Sequence, residues 1–297
     1  MPSLPRLPDI LWPDRRDALK LGLGLAASAA VLPGVSARAA RRTLDPANPA
    51  DAVQIYRKLR YRTDSGLLFS WIKGPYMAAV DGDLVPLYAI NLGSIQRVTV
   101  NPDGGFDLID LEISFRVDVD TGKRLTTLRN PFTGETVRVG GRGPVPTHVK
   151  VGPDNEVHIP DVPGAPRYEH VHHPATPLTL GRDEIGIRDR SHARVTAPDG
   201  FVSYLNEVST ITAPRAQVLD PATTNVLSRV QSNDVRSWQP WLNMGDRKGT
   251  LNLFANGGKV ARFADLPADW LALLVEFYPA VAADPIAVLD GKVVVKP

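Results

Sequence analysis

The stretch Phe106-Asp107-Leu108-Ile109-Asp110-Leu111-Glu112-Ile113-Ser114-Phe115-Arg116-Val117-Asp118-Val119 mixes apolar and polar side chains with a period of two, the period that places successive side chains on opposite faces of a strand. Phe106, Leu108, Glu112, Phe115, Val117 and Val119 form one set. Asp107, Asp110, Ser114, Arg116 and Asp118 form the other, and one shift of phase near Leu111 predicts a bulge. The segment is bounded by turn chemistry on both sides: Asn101-Pro102-Asp103-Gly104-Gly105 precedes it and Asp120-Thr121-Gly122-Lys123 follows it.

Outward from this strand the same grammar repeats. Leu67 to Tyr88 holds two strands around Asp81-Gly82-Asp83, where Asp-Gly supplies the positive φ of a tight hairpin. Leu125–Leu128 and Thr136–Val139 flank the turn Asn130-Pro131-Phe132-Thr133-Gly134. Further strands are expected near Val195, from Phe201 to Ile211, from Val226 to Trp241, and from Gly249 to Phe254 and Lys259 to Phe263 around a turn at Asn256-Gly257-Gly258. Two helices stand out. One begins at Asn48 or Asp51 and runs to Leu59, and the other covers Pro267 to Phe277 with the apolar stripe Trp270, Leu273, Leu274 and Phe277. The 27 prolines and 24 glycines keep the pieces short. Many short strands with few helices predict a mainly β protein: one antiparallel, lipocalin-like β-barrel domain over 40–297, closed by a C-terminal helix. The proline- and glycine-dense segment 140–177, without a clear period, is expected to be a long inserted loop or cap over one mouth.

The N-terminus gives the expected destination. Asp14-Arg15-Arg16-Asp17-Ala18-Leu19-Lys20 precedes an apolar run from Leu21 to Leu32 and the small-x-small pattern Ala37-Arg38-Ala39. Residues 1–39 therefore look like a twin-arginine export leader, which implies the export machinery as a partner and the periplasm as destination. Its apolar run is too short for a spanning helix, which needs about 20 residues, and no later segment is apolar enough to span. With the leader removed, 34 Lys/Arg fall to 29 through loss of Arg6, Arg15, Arg16, Lys20 and Arg38; 32 Asp/Glu fall to 29 through loss of Asp9, Asp14 and Asp17. A neutral mature chain argues against nucleic-acid binding. The chain has no cysteine, which excludes thiolate-held iron–sulfur clusters, covalently attached haem, a cysteine nucleophile and disulfides.

Trp71-Ile72-Lys73-Gly74, Leu108-Ile109-Asp110-Leu111-Glu112 and Ser237-Trp238-Gln239-Pro240-Trp241-Leu242-Asn243-Met244-Gly245 together resemble a family of secreted bacterial proteins known as a domain of unknown function. The resemblance covers most of the mature chain. It implies no established mechanism and assigns no catalytic residue.

Candidate chemistry is therefore read from the residues. Tyr168-Glu169-His170-Val171-His172-His173 puts His170 and His172 on one side of an extended segment, the spacing by which paired strand histidines grip a metal. Gly164-x5-His170-x-His172 opens like a cupin metal motif, but the later glutamate and histidine of that motif are missing. The preferred reading takes His170 or His172 as a general base working without organic cofactor or metal. Tyr204 or Arg236 would stabilise an oxyanion, and Tyr168, Asn206, Trp238 and Trp241 would hold a small aromatic or apolar ligand, a plant-derived phenolic being one candidate. Tyr204 and Asn206 alternate with Ser203, Leu205 and Glu207, and the sequence leaves open which set faces the interior. The expected function is a periplasmic enzyme of lyase, isomerase or dehydratase type. The alternatives are a carrier of lipophiles in the same pocket and a histidine-ligated metalloenzyme.

Overall fold

The computed structural model describes residues 42–140, 143–164, 166–173, 177–180 and 182–295. Residues 1–39, expected from the sequence to be an export leader, lie outside the described residues. Among the described residues thirteen strands follow in chain order: β1 (Gly66–Val80), β2 (Asp83–Val100), β3 (Phe106–Val117), β4 (Thr127–Arg129), β5 (Thr136–Arg138), β6 (Thr147–Val151), β7 (Val157–His158), β8 (Arg167–His173), β9 (Leu178–Leu180), β10 (Glu184–Thr196), β11 (Val202–Pro214), β12 (Arg229–Arg236) and β13 (Thr250–Val260). All but β4 and β5 join one sheet in the order β7-β6-β3-β2-β1-β13-β12-β11-β10-β8, with β9 also on β10. Its ladders are antiparallel. The sheet curls into a nearly closed barrel in which β7 and β8 approach each other without a ladder.

Segment 140–177 is not the loop expected of it, because it supplies β6, β7 and β8 to this sheet. Its strands are short and separated by prolines, so no period survives across it, yet Thr147–Val151 and Arg167–His173 each find a long partner strand to pair with. The turn at Asp81-Gly82 forms as expected, with φ of 52° and 91°. Asn256-Gly257-Gly258 is not a turn: β13 runs straight through it. A Cβ on Gly257 would stand 1.9 Å from the Trp71 carbonyl oxygen and one on Gly258 would stand 2.5 Å from that of Ser228. These glycines admit the backbones of neighbouring chain segments at close approach.

The phase shift in Phe106–Val119 has a cause other than a bulge. β3 pairs with β2 in unbroken register from Phe106↔Val100 to Val117↔Ala89, so its even-numbered residues all face inward. At one end the inward residues Phe106 and Leu108 join a core around helix α1 (Pro49–Arg60) and the short helix α2 (Arg215–Leu219). Further along, the odd-numbered Leu111, Ile113, Phe115 and Val117 are buried on the outer face beneath helices α3 (Ala268–Phe277), α4 (Pro279–Ala283) and α5 (Pro285–Leu289). There the inner face carries Glu112, Ser114 and Arg116. The apolar pattern changes sides because the outside of the sheet is covered at that level, not because a residue is inserted. The irregularity in register lies instead between Tyr76 and Met77 on β1.

The C-terminal helices therefore clad the barrel wall. They do not close its mouth, and Trp270, fully buried, donates its indole N–H to the Ile113 carbonyl at 3.1 Å. The end plug is α1. Asn48 caps it by accepting from the Ala50 and Asp51 N–H groups, and its Ile55, Tyr56 and Leu59 meet inward residues of β3, β10 and β11, strands on opposite sides of the barrel. At the other end, Tyr76, Tyr88, Leu251 and Leu253 pack against a short turn of helix at Pro240–Leu242 and the β4–β5 hairpin.

Candidate functional site

Strands alternate, so one inward residue fixes the face of all. Val195, Ala193, Ser191 and Asp189 of β10 oppose Ser203, Leu205, Glu207 and Ser209 of β11, which in turn oppose Arg236, Asp234 and Ser232 of β12. The directly paired row Tyr88, Tyr76, Leu253, Asp234, Glu207, Ser191 and His172 crosses seven strands. Above the α1 plug, Tyr76, Leu253, Asp234 and Glu207 of this row border a cavity of about 470 Å³. It is lined by Tyr76, Glu112, Ser114, Arg116, Tyr168, Glu207, Ser232, Asp234 and Arg236 together with Ile72, Ile90, Leu92 and Leu253. A lumen of mixed wall and polar centre departs from the apolar interior of a lipophile carrier.

The polar groups form two hydrogen-bonded clusters, with Arg116 beside them. Arg236 grips Asp234 through two nitrogens, Nε to Oδ1 being 2.9 Å, and its guanidinium lies 5.1 Å from the Tyr76 ring centre. Tyr76 donates a long hydrogen bond of 3.4 Å to Asp234. Glu207 accepts from Ser209 at 2.6 Å and Ser232 at 3.0 Å. Burial raises the Asp234 carboxyl above the ordinary carboxylate range, against the opposing pull of Arg236. Burial likewise pushes the Tyr88 phenol up to about 12 and Tyr76 upward, so both are neutral donors at physiological pH. Arg116 reaches the lumen with one hydrogen bond, to the Ser114 carbonyl at 3.2 Å, and with its Nε buried and without a partner among the described residues. A guanidinium in this state has N–H groups free to donate to an anionic oxygen.

Of the residues singled out from sequence, Arg236 and Tyr168 line this lumen. His170 and His172 do not. Because β8 joins the β10 ladder, His172 is drawn inward against α1, where it is 2% exposed and its Nε2 lies 2.6 Å from Asp189 and 2.8 Å from the Tyr56 hydroxyl. Arg60 holds the other Asp189 oxygen at 2.8 Å. His172 is thus engaged in fastening the plug. His170 stacks parallel to it, ring centres 6.2 Å apart, and its pKa is lowered chiefly by burial. Rings stacked side by side do not converge on one ion, and among the described residues no three His, Asp or Glu side chains are grouped as metal ligands.

Tyr204 and Asn206 belong to the outer face. Tyr204 touches the lumen rim, but it is 47% exposed and its ring lies 6.5 Å from that of His192, which hydrogen-bonds Asn206 at 2.7 Å. The set Ser203, Leu205 and Glu207 faces inward because Glu207 completes the polar row with Asp234. Trp241 packs on Tyr88, ring centres 5.5 Å apart, as part of the end closure. Trp238 lines a separate groove that adjoins the lumen through Ser237 and Gln239, and its N–H is bonded to the Arg247 carbonyl. Tyr76, Glu112, Arg116, Glu207 and Asp234 were missed. Their signal was polar residues at alternate positions, 112-114-116, 207-209 and 232-234-236, on strands whose other face is also partly apolar.

No curated protein and no solved structure matches the chain. The family model described as "Protein of unknown function (DUF1838)" matches residues 65–294, from the start of β1 to the last helices, and the chain belongs to this family.

Proposed function

We propose that the barrel lumen is the active site of an acid–base enzyme of lyase or isomerase type, acting on a small aromatic compound that bears an acidic oxygen. The observation that carries this reading is the cross-strand pair Asp234 and Glu207, two carboxyls in different environments facing one cavity beside Arg236 and Arg116. Paired carboxyls whose surroundings push their proton affinities apart are suited to opposite roles. Glu207, held by two hydroxyls, takes a proton from the substrate. Asp234, whose burial lets it keep a proton to higher pH, returns one. Arg116 and Arg236 stabilise the oxyanion that develops between these steps, and the neutral phenol of Tyr76 adds a donor. The twin-arginine leader supports a periplasmic setting for this chemistry. The test is conversion of a panel of phenolic acids and phenols by purified protein, followed by chromatography. A product formed by wild type and lost in Asp234→Asn and Arg236→Met supports the lumen, and a product formed equally by both variants overturns it.

A further inference from the structure

The sheet leaves a seam between β7 and β8, and against that seam lies a second cavity of about 520 Å³. Its wall is formed by Val145, Pro146, Ile159, Val162 and Pro166 with Tyr168. Val145 and Val162 are 51% and 60% exposed, an apolar surface left open where the ladder stops. Tyr168 borders this groove and the lumen alike, so the two cavities share a wall residue. Pro146, Pro160 and Pro166 remove N–H donors from the rim, which disfavours an added peptide strand as occupant.

We propose that the seam groove is a second subsite of the lumen and takes the apolar part of an amphiphilic ligand whose acidic oxygen sits at Arg116 and Arg236. This rests on the lumen reading given above. It narrows the substrate class from a single small ring to an elongated molecule with an acidic end and a second, uncharged ring or chain. Each cavity is the size of a small-molecule pocket, and the polarity of each suits one end of such a molecule.

The test uses benzoate and 4-benzylbenzoate as probes, which share the carboxylate and differ by one apolar ring. Calorimetric titration of the purified protein is expected to show the two-ring probe binding at least about tenfold more tightly. Val162→Glu and Ile159→Glu should abolish that gain and leave benzoate affinity unchanged. Arg236→Met should weaken both probes. Equal affinity for the two probes, or a gain that survives both seam variants, overturns the second subsite while leaving the lumen reading intact. Absence of binding by either probe, or binding of the two-ring probe that ignores Arg236→Met, overturns the linkage of groove and lumen.

Discussion

Asp234 and Glu207 stand directly opposite each other on β12 and β11, and each is held by a different kind of partner: a guanidinium for the first, two hydroxyls for the second. The pair is thereby asymmetric before any substrate arrives. Deleting either proton-transfer group is expected to lower turnover by about 10²- to 10⁴-fold. Glu207→Gln should do so with thermal stability close to wild type, and Asp234→Asn should in addition remove the alkaline limb of the pH–rate profile, because the acid form of Asp234 is lost as pH rises through its raised pKa. Asn206→Ala, on the outer face, serves as the control and should retain wild-type kcat and KM.

The fold offers a sharper test at β13. Gly257→Ala would drive a methyl group into the Trp71 carbonyl across a ladder, a contact that only backbone movement relieves. Thermal unfolding of this variant is expected to be lowered by the equivalent of several kcal/mol, on the order of 3. Gly82→Ala places its Cβ in open space at a φ of 91° and should cost only about 1 kcal/mol. Similar melting temperatures for the two variants would contradict the mid-strand placement of Gly257.

Lys259 gives a pH signature to stability. Lys259 is 7% exposed and its Nζ donates to the Lys58 and Tyr61 carbonyls at 2.7 Å each, and burial pushes its pKa from 10.5 down to about 7. Between these two values the unfolded chain binds a proton that the folded chain releases, so stability rises with pH across the window and is lost as pH falls toward 7. Denaturant titrations of Lys259→Met should show a flatter pH dependence between 7 and 10.5, on top of a constant loss from the carbonyls left unpaired. An unchanged slope would show that Lys259 stays charged throughout.

Export is testable by fractionation. Replacement of Arg15 and Arg16 by lysine preserves charge but removes the guanidinium pair, and precursor is expected to accumulate in the cytoplasm. Mature protein in the periplasm from this double variant would contradict the leader reading.

How far the chain could be read depends on which faces neighbours cover. Alternation between polar and apolar is legible when one side of a strand meets water, and the β1–β2 hairpin at Asp81-Gly82 and both longer helices followed from it. In β3, cladding by Trp270 and Leu274 moves the apolar set to the outside at Ile113, and no local rule reports the presence of a helix more than 150 residues away. The same blindness hid the site, because the sequence does not say that the side of the sheet carrying Glu112 and Arg116 lines a cavity. Arg236 was found through its neighbouring tryptophans, although neither tryptophan proved to line the lumen. The histidines of β8 were conspicuous by type, but Asp189 and Tyr56, which decide what His172 does, lie on other elements. Glycine at 257 has the same letter in a turn and in a crowded wall.

The pairing of β1 with β13 also fixes when the barrel can be finished during synthesis. β1 begins at Gly66 and its partner ends at Val260, so one edge of the growing sheet waits for nearly the whole chain to emerge. The plug depends on the same late event, since Lys259 anchors the end of α1 through the Lys58 and Tyr61 carbonyls. Contacts of such sequence separation slow folding and leave strand edges open to neighbouring chains in the meantime. Yield of this protein in a cell is therefore expected to respond more to translation rate, temperature and holdase chaperones than to substitutions on its finished surface.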